Sequence, residues 1–233
     1  MSPKRQVLWL IIIFSSLGLG VSVAIIATGG GFSGPGASLT NPPTSKDIWT
    51  LGENIRKGTI LNYSLTGASQ TSALISAKVS INFVELVDSD WSVRFAVNNG
   101  SSANTIQDTL VLSKQMTKKG QIDQAFRPYF EPIQSSILDI SNIAIGPKYL
   151  VVGAPWETII TGSNTVTARI ATKETVLTRA GSFNSFTLTY KLGSNTSKIW
   201  LVRDIPLPVK AEVYNAEDQL EYKYDLLAVY LGT

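Results

Sequence analysis

The chain contains neither cysteine nor histidine among its 233 residues. Without cysteine there can be no disulfide bond, no thiolate nucleophile and no lipid-modified cysteine of the bacterial lipoprotein type. Without histidine, Ser-His-Asp and Cys-His catalysis and Cys/His zinc sites are excluded as well. These two absences favour a binding or structural role over an enzymatic one, and we expect no metal, no cofactor and no catalytic residue.

Charge is also scarce. The sequence has 20 basic and 17 acidic residues, a net charge of +3. Basic residues are scattered, and no run of Lys or Arg is longer than two, so no nucleic-acid partner is predicted. The residues after the first 45 are numerous enough to bury a substantial core as one domain.

Residues 7–28 form an uncharged apolar stretch near the N-terminus. As a helix this stretch would be about 33 Å long, enough to cross a hydrocarbon core of about 30 Å. Lys4 and Arg5 precede it, and the next charge is Lys46. The positive-inside rule therefore predicts that residues 1–6 are cytoplasmic and that the chain after the helix lies outside the cell membrane.

Three alternatives compete with this single-pass signal anchor. A cleaved signal peptide has small-residue sites near residues 22–24 and 27–29, but the apolar stretch exceeds the usual h-region of about 7–15 residues. A buried helix of a soluble protein and a pilin-like N-terminal helix are the other two. After the helix, residues 29–46 are rich in Gly, Ser, Thr and Pro and predict a flexible linker spanning about 23 Å.

Residues 47–233 are predicted to form an extracytoplasmic β-domain. Apolar and polar residues alternate in residues 75–83, 91–97 and 220–226, the period of half-buried strands. Turn-forming residues separate these segments at 88–90, 98–102 and 118–120, as expected for antiparallel neighbours. The predicted fold class is therefore mainly β (α+β), with a curved antiparallel meander sheet or half-barrel and one short helix packed on it.

Residues 121–140 break the β pattern. Four apolar residues recur there at helical spacings of four, three and four: Phe126, Phe130, Ile133 and Ile137. Pro128 and Pro132 prevent one long regular helix. We predict a turn at residues 127–128 and a helix from near Pro132 to about Asp139, with its apolar face against the sheet.

The C-terminal strands resemble the LolA/LolB-like half-barrel of lipoprotein-carrier proteins, as in membrane-anchored extracytoplasmic archaeal proteins. Residues 187–190 (TLTY), 197–202 (SKIWLV), 206–212 (PLPVKAE) and 222–226 (YKYDL) carry the resemblance. The resemblance implies a curved antiparallel sheet that wraps a helix and holds acyl chains in its concave face. Residues 121–140 would supply that helix, whereas the lipid-modified cysteine of the carriers is missing.

Seven aromatic residues are candidates for an apolar ligand face: Phe126, Phe130, Trp156, Tyr190, Trp200, Tyr222 and Tyr224. Core packing is the alternative interpretation, because aromatics on alternating strands belong in a core. Trp156 follows Pro155 in a predicted loop, so we expect it to be the most exposed of the seven.

Three Asn-X-Ser/Thr sequons could carry glycans, at Asn62, Asn99 and Asn195, the last two in predicted turns. Such triplets also occur by chance in chains rich in Ser and Thr. Asp88 and Asp90 could bind calcium, although a turn favours Asp in any case. Four carboxylates are candidates for an acid/base pair: Glu85, Asp88, Asp204 and Glu212. Their spacing brings no two together, so surface positions are expected.

These observations predict a membrane-anchored, non-catalytic extracytoplasmic protein that binds a lipid or another apolar ligand. The alternative is a structural or accessory subunit of a membrane or envelope complex, or a pilin-like filament. Gly18, Gly20 and the serines at 15, 16 and 22 would give its membrane helix a small-residue face for partner helices. A hydrolase using carboxylates or a Ser-Lys pair would need two titratable residues that converge in a cleft.

Overall fold

A computed structural model describes residues 44–67, 76–100, 105–161 and 164–233, with backbone only at 160, 161 and 164. The predicted cytoplasmic segment, the apolar stretch 7–28 and the linker up to residue 43 lie outside the described residues. Within the described ranges, no helix is both long enough and apolar enough to cross a membrane.

The described residues form thirteen strands, two α-helices and one short 3-10 helix, Ser45–Asp47. The strands are β1 (Ile48–Trp49), β2 (Thr59–Thr66), β3 (Ser76–Val87), β4 (Asp90–Asn98), β5 (Ile106–Leu112), β6 (Lys118–Lys119), β7 (Lys148–Tyr149), β8 (Pro155–Thr161), β9 (Asn164–Thr178), β10 (Gly181–Tyr190), β11 (Ser197–Leu201), β12 (Lys210–Tyr214) and β13 (Leu220–Tyr230). The helices are α1 (Arg127–Gln134) and α2 (Ile140–Ile143).

Eleven strands form one open antiparallel sheet in the order β6-β5-β4-β3-β2-β13-β12-β11-β10-β9-β8. Two meanders make up this sheet: β2 to β6 run outward in one direction, and β13 back to β8 run outward in the other. They meet where β2 pairs with β13. A separate two-stranded sheet joins β1 to β7. The prediction of a mainly β fold with an antiparallel meander is confirmed, and the sheet does not close.

Alternating burial explains why these segments are strands. In β2, Leu61, Tyr63 and Leu65 are completely buried, and the residues between them are half-buried. The face that carries these buried side chains is called the inner face below. Asp88 and Ser89 adopt positive φ angles of 49° and 75° between β3 and β4, so the predicted turn there is confirmed.

The helix begins five residues earlier than predicted. Helix α1 starts at Arg127, because Pro128 occupies the first turn, where a backbone N–H has no intrahelical partner. The helix then accommodates Pro132 in its second turn and ends at Gln134. The prediction that its apolar face lies against the sheet is confirmed, since the rings of Phe130 and Phe95 (β4) meet edge to face at 5.3 Å.

The predicted turn at residues 118–120 is wrong, because Lys118–Lys119 form strand β6 against β5. The chain reverses earlier, between Ser113 and Thr117, whose backbone groups are hydrogen bonded at 2.8 Å. Met116 adopts a φ of 62° in this turn and its side chain is buried. Burial of Met116 therefore holds the reversal in place without a glycine.

Tyr63 ties the centre of the sheet to the connection between β11 and β12. Its hydroxyl donates to the carbonyl of Pro208 at 3.0 Å in a fully buried setting.

Tyr63→Phe would leave that carbonyl without a donor, so we expect it to lower the free energy of unfolding by about 1 kcal/mol. Urea unfolding followed by tryptophan fluorescence would measure this. Tyr230→Phe, at a 61% exposed ring, is the matched control; an equal loss in both variants would contradict the assignment.

Candidate functional site

Three tyrosines lie in a row on the inner face, here called the tyrosine row: Tyr222, Tyr224 and Tyr63. The rings of Tyr222 and Tyr224 stack at 6.1 Å and 5° because the two residues are two apart on β13. Tyr224 meets Tyr63 of β2 edge to face at 5.6 Å. The row therefore crosses the line where the two meanders join.

A carboxylate lies at one end of the tyrosine row. Asp139 lies between α1 and α2, and the Tyr222 hydroxyl donates to its Oδ2 at 3.4 Å. The amide of Asn142 donates to Oδ1 at 2.7 Å. Burial raises the pKa of Asp139, and these two hydrogen bonds offset part of that rise. The site therefore combines an apolar aromatic surface with one acid that resists ionisation.

The charge of Asp139 affects two further titratable residues. Burial raises the pKa of Tyr190, and the charges of Asp139 and Glu221 add to the effect. Burial likewise raises the pKa of Glu221, followed by repulsion from Asp139. The negative charge of Asp139 therefore hinders the ionisation of both Tyr190 and Glu221.

All seven aromatic candidates are buried, with exposures between 0% and 9%. Phe126 and Phe130 lie on the helical side of the core, and Tyr190, Tyr222 and Tyr224 lie on the inner face of the sheet beneath it. All seven belong to one hydrophobic cluster of buried residues. Trp156 and Trp200 occupy other parts of this cluster, as described next.

The expectation that Trp156 is exposed is wrong. Trp156 belongs to strand β8, stacks on Trp49 at 5.5 Å and donates its indole N–H to the carbonyl of Tyr149 at 2.9 Å. The β1–β7 pair covers this indole, which the sequence around Pro155 did not indicate. Trp200 lies opposite Thr187 in the ladder, on the face away from the tyrosine row, and donates to Glu174 Oε1 at 2.9 Å.

The three sequons occupy different settings. Asn62 lies within β2, and Asn99 follows the end of β4; both are half-buried. Asn195 is exposed in the turn between β10 and β11, where its side-chain amide donates to the carbonyl of Asp218 at 3.0 Å. Asn195 is thus the most accessible of the three.

Of the carboxylates considered for acid/base or calcium chemistry, Glu85, Asp88 and Asp204 are exposed and Glu212 is half-buried. Asp90 pairs with Lys119 at 2.7 Å, and Glu212 accepts a hydrogen bond from the Tyr214 hydroxyl. In the part of the chain that the structure describes, no three Cys, His, Asp or Glu side chains are grouped to hold a metal ion.

Tyr63 and Asp139 are the two site residues that the sequence analysis does not name as candidates. Asp139 enters that analysis only as the end of the predicted helix. Its signal was nonetheless present, because a single acid is flanked by Leu138 and Ile140, which are both buried. An isolated charge within an apolar run suggests a buried polar contact.

The raised pKa of Asp139 predicts a pH-dependent stability. Below its ordinary value of 3.8 the carboxyl is protonated in both the folded and the unfolded chain, so it has no pH-dependent effect. As the pH rises through the higher folded pKa, the unfolded chain ionises first, and the fold loses stability. We expect Asp139→Asn to raise the melting temperature at pH 7 and to leave it unchanged at pH 3.

Thermal unfolding at the two pH values measures this effect. Asp204→Asn, at an exposed aspartate, is the matched control and should change neither value. A destabilised Asp139→Asn variant at pH 7 would contradict the proposed cost of ionising Asp139.

Neither a protein family nor a curated protein matches the sequence. Solved structures do resemble the fold. A candidate lipoprotein from Parabacteroides distasonis has 13% identity and a TM-score of 0.38, covering 78% of this chain and 99% of that one. A candidate exported protein with a YmcC-like fold from Bacteroides fragilis has 13% identity and a TM-score of 0.39, with 79% and 99% covered. The Pseudomonas aeruginosa MucA/MucB complex gives 12% identity and a TM-score of 0.38, with 78% and 55% covered.

Proposed function

We propose that this protein is a membrane-anchored, non-catalytic extracytoplasmic protein that binds a lipid or another apolar ligand on the inner face of its sheet. The ligand would take the place of residues 123–144, here called the helical segment, above the tyrosine row. The main support is the way this face is covered: besides the eleven-stranded sheet, the described residues form short helices, connections and the small β1–β7 pair, but no second large sheet.

The helical segment has little structure of its own. Its helices are eight and four residues long, and isolated helices of this length are unstable in water. The fully buried side chains of Phe130, Ile133 and Ile137 hold it in place. Since these contacts are apolar and non-directional, an acyl chain could replace them with similar energy per area. The segment is therefore suited to act as a displaceable plug.

The anchoring part of the proposal rests on the sequence. Residues 7–28 would be the transmembrane signal anchor, residues 1–6 its cytoplasmic end and residues 29–46 the linker to the β-domain. A domain held outside the membrane would be close to its lipids and to the glycosylation machinery, so Asn195, and less readily Asn62 and Asn99, could carry glycans.

A covalent lock on the helical segment tests the binding role. Lys118 of β6 and Glu131 of α1 line the same surface cleft of about 410 Å³. Because the chain has no cysteine, a Lys118→Cys/Glu131→Cys variant can be linked selectively with a short bismaleimide. We expect the linked protein to bind a fluorescent fatty acid at least about tenfold more weakly than the unlinked double variant, since the plug can no longer move.

The two single-cysteine variants treated with the same reagent are the controls and should bind normally. Lipid extraction and mass spectrometry of protein purified from membranes would identify the natural ligand. Two results would contradict a ligand site beneath the segment. One is unchanged fatty-acid binding by the linked protein. The other is an unlinked protein that neither contains lipid after purification nor binds the added fatty acid.

The open edge of the sheet favours a second role, as a subunit of a membrane complex or filament. Strand β8 spans seven residues and pairs only with β9 among the described strands. An unpaired edge can accept a strand from a partner. Native gel electrophoresis in mild detergent tests this alternative, because migration as a lone monomer would argue against it.

A further inference from the structure

A polar row crosses the outer face of the sheet, opposite the tyrosine row. Its residues are directly opposed in four successive ladders: Lys210, Asp225, Ser64, Lys78 and Asn98. Opposite charges that lie directly across from each other on neighbouring strands stabilise a sheet. Here Lys210 pairs with Asp225 at 3.6 Å, whereas no ion pair is found for Lys78 among the described residues.

The turn between β9 and β10, residues 179–180, lies next to this polar row. It is held by the backbone N–H of Ala180, which donates to the carbonyl of Leu226 on β13 at 3.1 Å. The Thr178 hydroxyl also accepts the Ala180 N–H at 3.1 Å, so the turn is locally constrained. Arg179 is thereby placed above the sheet, at a half-open cavity of about 390 Å³. Its polar lining includes Ser64, Ser76, Lys78, Asn98, Arg179 and Asp225.

The charges in this cavity match a particular ligand. Lys78 and Arg179 provide two cations, and Arg can hold a carboxylate or phosphate with two hydrogen bonds. Asn98 accepts the N–H of Gly100 at 2.9 Å through Oδ1, which leaves its amide N–H groups to donate.

Asp225 favours a ligand that can donate a hydrogen bond to its carboxylate. Its Oδ1 is buried; Lys210 Nζ lies 3.6 Å away, beyond hydrogen-bond distance, and no described residue donates a hydrogen bond to it. A buried acceptor without a donor is costly, so a ligand that supplies a hydroxyl there gains affinity.

We propose that this outer cavity binds an anion carried on a polyol, such as a glycerol phosphate or a sugar acid. The anion lies between Lys78 and Arg179, and a hydroxyl of the ligand donates to Asp225 Oδ1. This site is on the opposite face from the apolar ligand site and does not depend on it. The same chemistry occurs in free metabolites and in the headgroup of phosphatidylglycerol, so the experiment separates these sources.

Calorimetric titration of the full-length protein with four probes tests the site: sn-glycerol 3-phosphate, glucuronate, inorganic phosphate and glycerol. We expect at least one of the first two to bind about tenfold more tightly than phosphate, because only they reach Asp225, and glycerol not to bind. Sedimentation with phosphatidylglycerol vesicles, compared with phosphatidylcholine vesicles, shows whether a headgroup is also accepted. If a soluble probe binds but the phosphatidylglycerol vesicles do not, the ligand is a free metabolite. If the soluble probe and the vesicles both bind, the ligand is a lipid headgroup.

Variants identify the residues. Arg179→Gln and Lys78→Gln alter exposed side chains and should each weaken binding about tenfold or more, without changing the melting temperature. Asp225→Asn should remove the preference over inorganic phosphate while phosphate itself binds at least as well. Lys223→Gln, an exposed lysine on the same strand, is the control. No binding of any polyol anion up to about 10 mM, or equal affinity in the Arg179→Gln, Lys78→Gln and control variants, would overturn the proposal.

Discussion

Replacing Phe130 by alanine is expected to lower the free energy of unfolding by about 3–5 kcal/mol. The Phe130 ring is completely buried and meets Phe95 of β4 edge to face at 5.3 Å. Truncation removes this apolar surface from the core and leaves a cavity between α1 and the sheet. Because α1 has only eight residues, it has few other contacts that could compensate. A loss of this size is a large part of the stability of an ordinary domain.

Urea unfolding followed by tryptophan fluorescence measures the loss. Phe130→Leu keeps most of the volume and should lose less than about 1.5 kcal/mol. Tyr129→Ala, at a half-buried ring on the same helix, should lose about 1 kcal/mol and controls for helix propensity. If Phe130→Ala and Tyr129→Ala were equally stable, the core position of α1 would be wrong.

The same variant connects stability with the proposed function. Loosening α1 makes the plug easier to displace, so a ligand that competes with it should bind the Phe130→Ala variant more tightly than the parent. A ligand that binds elsewhere would be indifferent to this change. Binding of the fluorescent fatty acid, measured where the variant is still folded, distinguishes the two cases.

The local structure could be predicted from the sequence because it depends on neighbours along the chain. The alternation from Ala77 to Phe83 predicts β3, and Asp88 and Ser89 predict its turn, since strand period and turn chemistry are local properties. The pairing of β2 with β13 is different. It joins residues more than 150 positions apart, and no period or turn signal in either strand specifies the other as its partner.

Contacts between residues far apart in the sequence also explain which features of the candidate site could not be predicted. Trp156 looked exposed because its own neighbours resemble a loop, but Trp49, about a hundred residues earlier, stacks on it. Of the tyrosine row, the sequence analysis names Tyr222 and Tyr224 as candidates but not Tyr63, whereas the candidate Trp200 belongs to the other face. Alternation shows which residues of one strand share a face. Strand order decides which residues of the other strands lie beside them on that face.

The join between the meanders should be the position most sensitive to charge. Leu226 is completely buried opposite Tyr63 of β2. Its N–H donates to the carbonyl of Val209 at 2.8 Å, and its carbonyl accepts the N–H of Ala180 at 3.1 Å. Leu226→Asp would place an unpaired carboxylate where four parts of the chain meet. A buried, unpaired charge costs several kcal/mol beyond the lost packing, so we expect this variant not to fold at pH 7.

Two further variants show whether charge and burial are the cause. Leu226→Ala should remain folded and lose about 2–5 kcal/mol, because it removes packing without adding charge. Leu220→Asp adds the same charge to the same strand at a 40% exposed side chain and should lose less than about 1 kcal/mol. Far-ultraviolet circular dichroism and urea unfolding measure all three. A folded Leu226→Asp protein as stable as Leu220→Asp would mean that β2 and β13 do not form the buried centre of the sheet, because only a solvated position tolerates both substitutions equally.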